Sequence, residues 1–151
     1  MSSITGGEMS SVLVPIEKGR EFEMVIRRVI DLYRQKEVRI FLINVQRPFP
    51  RHISGFFSAA EVKKFHQEDG MRELEPVINK LNAAGVPHKA HVLVGQKAQE
   101  IVRFANDYHC RQIVVAKQPE GRFSHFGLGS TVSQIRHLIG TASPCEIFES
   151  Y

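Results

Sequence analysis

Cysteine is scarce in this chain of 151 residues, which holds Cys110 and Cys145 and no CxxC pair. Two cysteines so far apart exclude a disulfide scaffold and a cysteine zinc site, and they read as small hydrophobes in a reducing compartment. Long apolar runs are missing as well. The longest strictly apolar stretches are only a few residues, as from Val12 to Ile16, far below the roughly 18 that span a bilayer. No transmembrane helix and no membrane partner are therefore expected. The first ten residues have neither a basic segment nor an apolar one, so residues 1–10 are expected to be a flexible tail instead of a signal peptide. Residues 11–151 then form one domain, with the cytoplasm as the expected location. Charge of one sign is not concentrated either. The net charge is +4, but Lys and Arg are interspersed with Asp and Glu, so nucleic acid is not the expected partner. Gly-x-Ser-x-Gly, HExxH and Walker A sequences are all absent, which leaves catalysis without support.

What is present is an ordinary globular composition, 42% hydrophobic and 24% charged, in a chain long enough to bury roughly 70% of its unfolded surface. The hydrophobic period alternates along it. Val12 to Ile16 and Val38 to Val45 are apolar runs suited to strands buried on both faces. Phe22, Val25, Ile26, Val29, Leu32 and Tyr33 recur at helical spacing and predict a helix from about residue 20 to 35. In the segment from Gln46 to Phe57, Pro48, Pro50 and Gly55 are expected to block regular structure, and Ser58 then offers an N-cap. Leu74, Val77, Ile78 and Leu81 continue that helix, which Pro76 is expected to kink or split, and Gly85 ends it.

His88 to Val94 alternates like an exposed edge strand, and Gly95 closes it. Ala98, Ile101, Val102 and Ala105 mark a third helix, and Gln112 to Ala116 a fourth strand. Val132, Ile135, Leu138 and Ile139 mark the last helix, with Gly140 after it. Thr131 and Gln134 match a capping box, with Ser130 as the alternative cap. Cys145 to Phe148 is a short fifth strand. Strands and helices alternating in this way imply an α/β fold with a parallel, doubly wound sheet and helices on both faces. Ligands of such sheets bind at the carboxyl ends of the strands, here Glu17 to Gly19, Gln46 to Phe57, and Lys117 to Thr131.

Three stretches carry a family resemblance: VLVPIEKG, HVLVGQKAQEIVRFANDYHCRQIVVAK and GLGSTVSQIRHLIGTASPCEIF. From Ser11 to Glu149 the chain resembles the universal stress protein family, in which an Asp usually stands at the position of Glu17. The resemblance implies a flavodoxin-like, Rossmann-like sheet of order 3-2-1-4-5 and a homodimer built by the last strand. The strand pattern points the same way, because an open edge at Cys145 to Phe148 would leave backbone groups unpaired unless a second copy covered them.

Many members of that family bind ATP through Gly-x-x-Gly-x9-Gly-Ser/Thr. Set on Gly129 and Ser130, the signature meets Ala116 and Pro119 where its first two glycines belong. Ala116 adds a methyl where a backbone must approach a ligand, and Pro119 offers no N–H to a phosphate. Gly121 and Gly127 lie nearby at the wrong spacing. Glu17 keeps a carboxylate that reaches for a ribose hydroxyl, and the Gly129-Ser130-Thr131 turn, with Arg122 and His125 in the same loop, stands at a helix N-terminus. That turn reads either as a cap alone or as a cap that also contacts an anion.

The expected function is thus a non-enzymatic, homodimeric binding and signalling module of the stress response, with weakened or absent ATP binding. No cofactor is required, and ATP or another adenine nucleotide is the ligand class implied. The rival is an ATP-binding, slowly hydrolysing member that uses Glu17, Val45 and the Gly129-Ser130-Thr131 turn, and a more distant reading is an enzyme of the broader nucleotide-binding α/β superfamily. Other constellations carry less. His88 and His91 face opposite sides of a strand and hold no metal, and the pairs Glu68 with Asp69 and Glu73 with Glu75 read as solvated surface. The segment from Arg47 to Phe57 combines aromatics and arginines. It reads as a lid that stacks a planar ring, as an anchor on the helix behind it, or as a dimer contact.

Overall fold

The computed structural model describes residues 9–18, 22–116, 131–140 and 145–150. Strand β1 (Ser11–Pro15) leads to helix α1 (Glu23–Gln35), β2 (Arg39–Gln46), the single turn α2 (Arg51–Ser54) and α3 (Ala59–Ala83). Then follow β3 (Lys89–Val94), α4 (Lys97–Asp107), β4 (Cys110–Ala116), α5 (Thr131–Ile139) and β5 (Glu146–Ser150). The five strands are parallel in the order β3-β2-β1-β4-β5. This is the 3-2-1-4-5 sheet expected, with β3 and β5 at its edges.

Side-chain parity assigns each strand residue to one of two layers. Val12, Val14, Leu42 and Val114 pack with Val25, Ile26 and Val29 of α1 and with Leu74, Val77 and Leu81 of α3. Leu13, Phe41, Ile43 and Ile113 pack with Ala98, Ile101 and Ala105 of α4 and with Ile135 of α5. Val12, Leu13 and Val14 are all fully buried because β1 is covered on both faces, as its unbroken apolar run requires.

Helix α3 begins as its sequence dictates. The Ser58 side chain accepts from Glu61 N at 3.0 Å, and the Glu61 carboxylate accepts from Ser58 N at 2.9 Å, which completes a capping box. It ends at Gly85, whose φ of +71° permits the 2.9 Å hydrogen bond from Val86 N to Leu81 O. The expected split at Pro76 does not occur, and α3 runs on from Ala59 to Ala83. Pro76 is exposed, while Leu74, Val77 and Leu81 on either side of it are buried against the sheet and hold both halves in place. Gly70 faces the sheet so closely that a Cβ built on it would lie 2.5 Å from Val92 Cγ1 of β3.

A second expectation also needs correction. The segment from Gln46 to Phe57 is not wholly irregular, because Pro50 precedes α2 and Ile53 N and Ser54 N both donate to its carbonyl at 2.9 Å. A proline is tolerated there because the first N–H groups of a helix have no intrahelical partner. The expected tail falls largely on residues 1–8, outside the described residues. No helix among those described is long and apolar enough to cross a membrane.

Candidate functional site

The chain changes direction across the sheet at β1, so the carboxyl ends of β1, β2 and β4 meet where doubly wound folds bind ligands. Glu17 follows β1 and turns towards the α4–α5 layer, where its carboxylate accepts from Nζ of Lys97, the first residue of α4. Burial pushes the Lys97 ammonium below its ordinary range. Val45, at the end of β2, is half-buried against the same layer. Thr131 starts α5, and Gln96 Nε2 donates to Gln134 Oε1 at 3.3 Å, linking the turn before α4 to the first turn of α5. Glu17, Val45 and Thr131 therefore share one side of the sheet.

Other expected site residues stand differently. Ala116 ends β4, but its methyl packs with the α1–α3 layer, on the opposite side from Val45. The residue has no positive φ, so nothing in its backbone demands glycine. Thr131 is the first described residue of α5, and Gln134 in the same turn accepts from Gln96. Arg122, Gly127, Gly129 and Ser130 lie outside the described residues, as do His125 and Pro119.

The α1–α3 side of the same strand ends carries a polar network that the sequence reading missed. Glu73 Oε1 accepts from Lys18 N at 2.7 Å and from Asn44 Nδ2 at 3.2 Å, and its Oε2 accepts from Gln46 Nε2 at 3.1 Å. Asn44, which is 1% exposed, also donates to Ile16 O at 2.9 Å and accepts from Gln46 Nε2 at 2.7 Å. Glu73 is thus not solvated surface. The signal was available, because Glu73 lies three residues after Gly70 and four before Val77 on the buried stripe of α3, and Asn44 and Gln46 are polar residues at the end of a buried strand. A carboxylate with both oxygens so occupied acts as a brace. Beside it, a cleft of about 800 Å³ opens between α1 and α3. Acids and bases on its rim are paired, Arg72 with Asp69 at 2.8 Å and Lys80 with Glu23 at 2.7 Å.

Neither cysteine is activated. Burial pushes the Cys110 thiol up to about 12 and raises that of Cys145 as well, which suits packing more than chemistry. Among the described residues no group of three or more His, Cys, Asp or Glu side chains gathers to hold a metal ion.

The sequence model of the universal stress protein family matches residues 9–139. The chain belongs to the universal stress protein family. No curated protein sequence matches it, but solved universal stress proteins share its fold at low identity. One from Archaeoglobus fulgidus is 14% identical, with 97% of this chain and 98% of that one covered and a TM-score of 0.67. A universal stress protein solved in complex with cAMP is 15% identical, with coverage of 94% and 97% and a TM-score of 0.69. The Archaeoglobus fulgidus protein in complex with dAMP is 16% identical, with coverage of 95% and 98% and a TM-score of 0.61.

Proposed function

We propose that this universal stress protein is a non-enzymatic, homodimeric binding and signalling module of the cytoplasm, with a weakened site for adenine nucleotides. The ion pair between Glu17 and Lys97 carries this reading. A ribose hydroxyl must compete with an ammonium for the carboxylate, and displacing Lys97 would leave a partly buried cation without its partner. Pro119 adds to the weakening, since it has no N–H for a phosphate. The ligand class follows from the relatives solved with cAMP and dAMP. The dimer rests on β5, which among the described residues pairs with β4 alone and offers its other edge to a second copy. Ile147 and Phe148 pack within their own chain, towards opposite layers, so backbone pairing would be the main contact.

The test is to release and identify any small molecule bound to the purified protein and to sediment the protein at micromolar concentration. The expected result is a dimer without nucleotide. The rival reading, an ATP-binding and slowly hydrolysing member, draws support from Glu17, Val45 and Thr131 sharing one side. Stoichiometric nucleotide in the purified protein would select it.

A further inference from the structure

The segment between β2 and α3 leaves an apolar surface ringed by cations. Phe56 is 83% exposed at the tip of the turn after α2, and Ile53, Phe57 and Phe65 beside it are exposed as well. The tip is built, not loose. Phe56 N donates to Ile53 O and Phe57 N to Ser54 O, each at 3.1 Å, and the Phe57 ring meets Phe65 edge-on at 5.3 Å. Phe49 anchors the near end on the buried His66 ring at 4.5 Å. The sequence alternative in which Phe56 and Phe57 anchor the loop thus holds for Phe57 and fails for Phe56, and Phe49 is a further anchor that the sequence did not single out.

Arg47, Arg51, Lys63 and Lys64 flank this tip in sequence, are exposed, and have no ion pair with an acid among the described residues. Glu61 is the one acid between positions 47 and 65, and its carboxylate is turned back onto Ser58 N. We propose that this projecting turn and the first turns of α3 form a peripheral docking surface for anionic lipid bilayers, with Phe56 entering the interface and the cations meeting the headgroups. A bilayer supplies both complements at once, negative charge for the unpaired cations and an apolar medium for a convex tip. A folded acidic partner would instead need a hollow shaped to receive Phe56. Interfacial docking needs no spanning helix, so the shortness of the apolar runs has no bearing on it.

Sedimentation of the full chain with vesicles tests this. Vesicles of phosphatidylcholine with phosphatidylserine should carry the protein down, pure phosphatidylcholine vesicles should not, and added salt should release it. Lys63→Gln with Lys64→Gln should weaken binding about fivefold per cation. Phe56→Ser, at a position too exposed to affect folding, should weaken it about tenfold or more. Failure to bind the anionic vesicles, or binding that Phe56→Ser leaves unchanged, would overturn the proposal. So would binding of a single-stranded RNA oligonucleotide by the same residues without any binding to vesicles.

Discussion

The two sides of the sheet treat the carboxyl ends of β1 and β2 in opposite ways. On the α1–α3 side, Glu73 gathers Lys18 N, Asn44 and Gln46 into a network in which both of its oxygens are occupied. On the α4–α5 side a cross-link between Glu17 and Lys97 stands near Val45 and the start of α5. A part-buried network with both carboxylate oxygens occupied fixes geometry, because any exchange leaves polar groups unpaired. A single ion pair about a third exposed contributes little net stability, but a ligand that takes the Glu17 carboxylate must displace Lys97 from it. The same strand ends thus carry a brace on one side and, in the function proposed above, a gate on the other.

Substitutions can break this contrast. Glu73→Ala should have the largest effect, a loss of about 3 kcal/mol, since it orphans several donors to a charged acceptor. Urea denaturation measures it, and a loss below that of a single surface contact would show that the network is not a brace. Gly70→Ala tests the packing that holds Glu73 in place. Its new methyl meets the branched Val92 side chain, and overpacking of this kind should cost about 2 kcal/mol in the same assay. Lys97→Met should change stability by less than about 1 kcal/mol, as expected for a pair this exposed. A loss as large as that of Glu73→Ala would erase the difference between the two sides.

The smallest effect is a pH dependence on the α4–α5 side. Burial first, and Lys89 second, hold His91 below its ordinary range. The unfolded chain therefore takes up a proton before the folded one as pH falls. This contribution to stability is complete above about pH 6.5 and is lost progressively below it. His91 packs against Phe104 at 5.2 Å and Phe41 at 6.1 Å, so His91→Phe should flatten the slope of melting temperature against pH between 5 and 7. An unchanged slope would assign the dependence to other groups.

Much of the fold was legible because each strand and helix carries its own period. The apolar run of β1, the alternation of β3, and the glycines 85 and 140 with positive φ all lie where the sequence puts them. Pro76 misled because local propensity could not weigh the burial of Leu74, Val77 and Leu81 around it. Of the candidate site, Glu17, Val45 and Thr131 share the α4–α5 side, while strand parity turns Ala116 towards the α1–α3 layer. Lys97 stayed hidden because its partner Glu17 is distant in sequence and a pairwise contact of that kind leaves no local pattern, whereas Glu73 was missed although it lies on the buried stripe of α3.

Calorimetric titration of ATP into the native chain and into Lys97→Met tests the gate most directly. The account predicts weaker than micromolar affinity for the native chain and tighter binding for the variant, whose Glu17 carboxylate is released to meet the ribose. Micromolar binding by the native chain, reduced when Lys97 is removed, would contradict it and make Lys97 a ligand-holding residue.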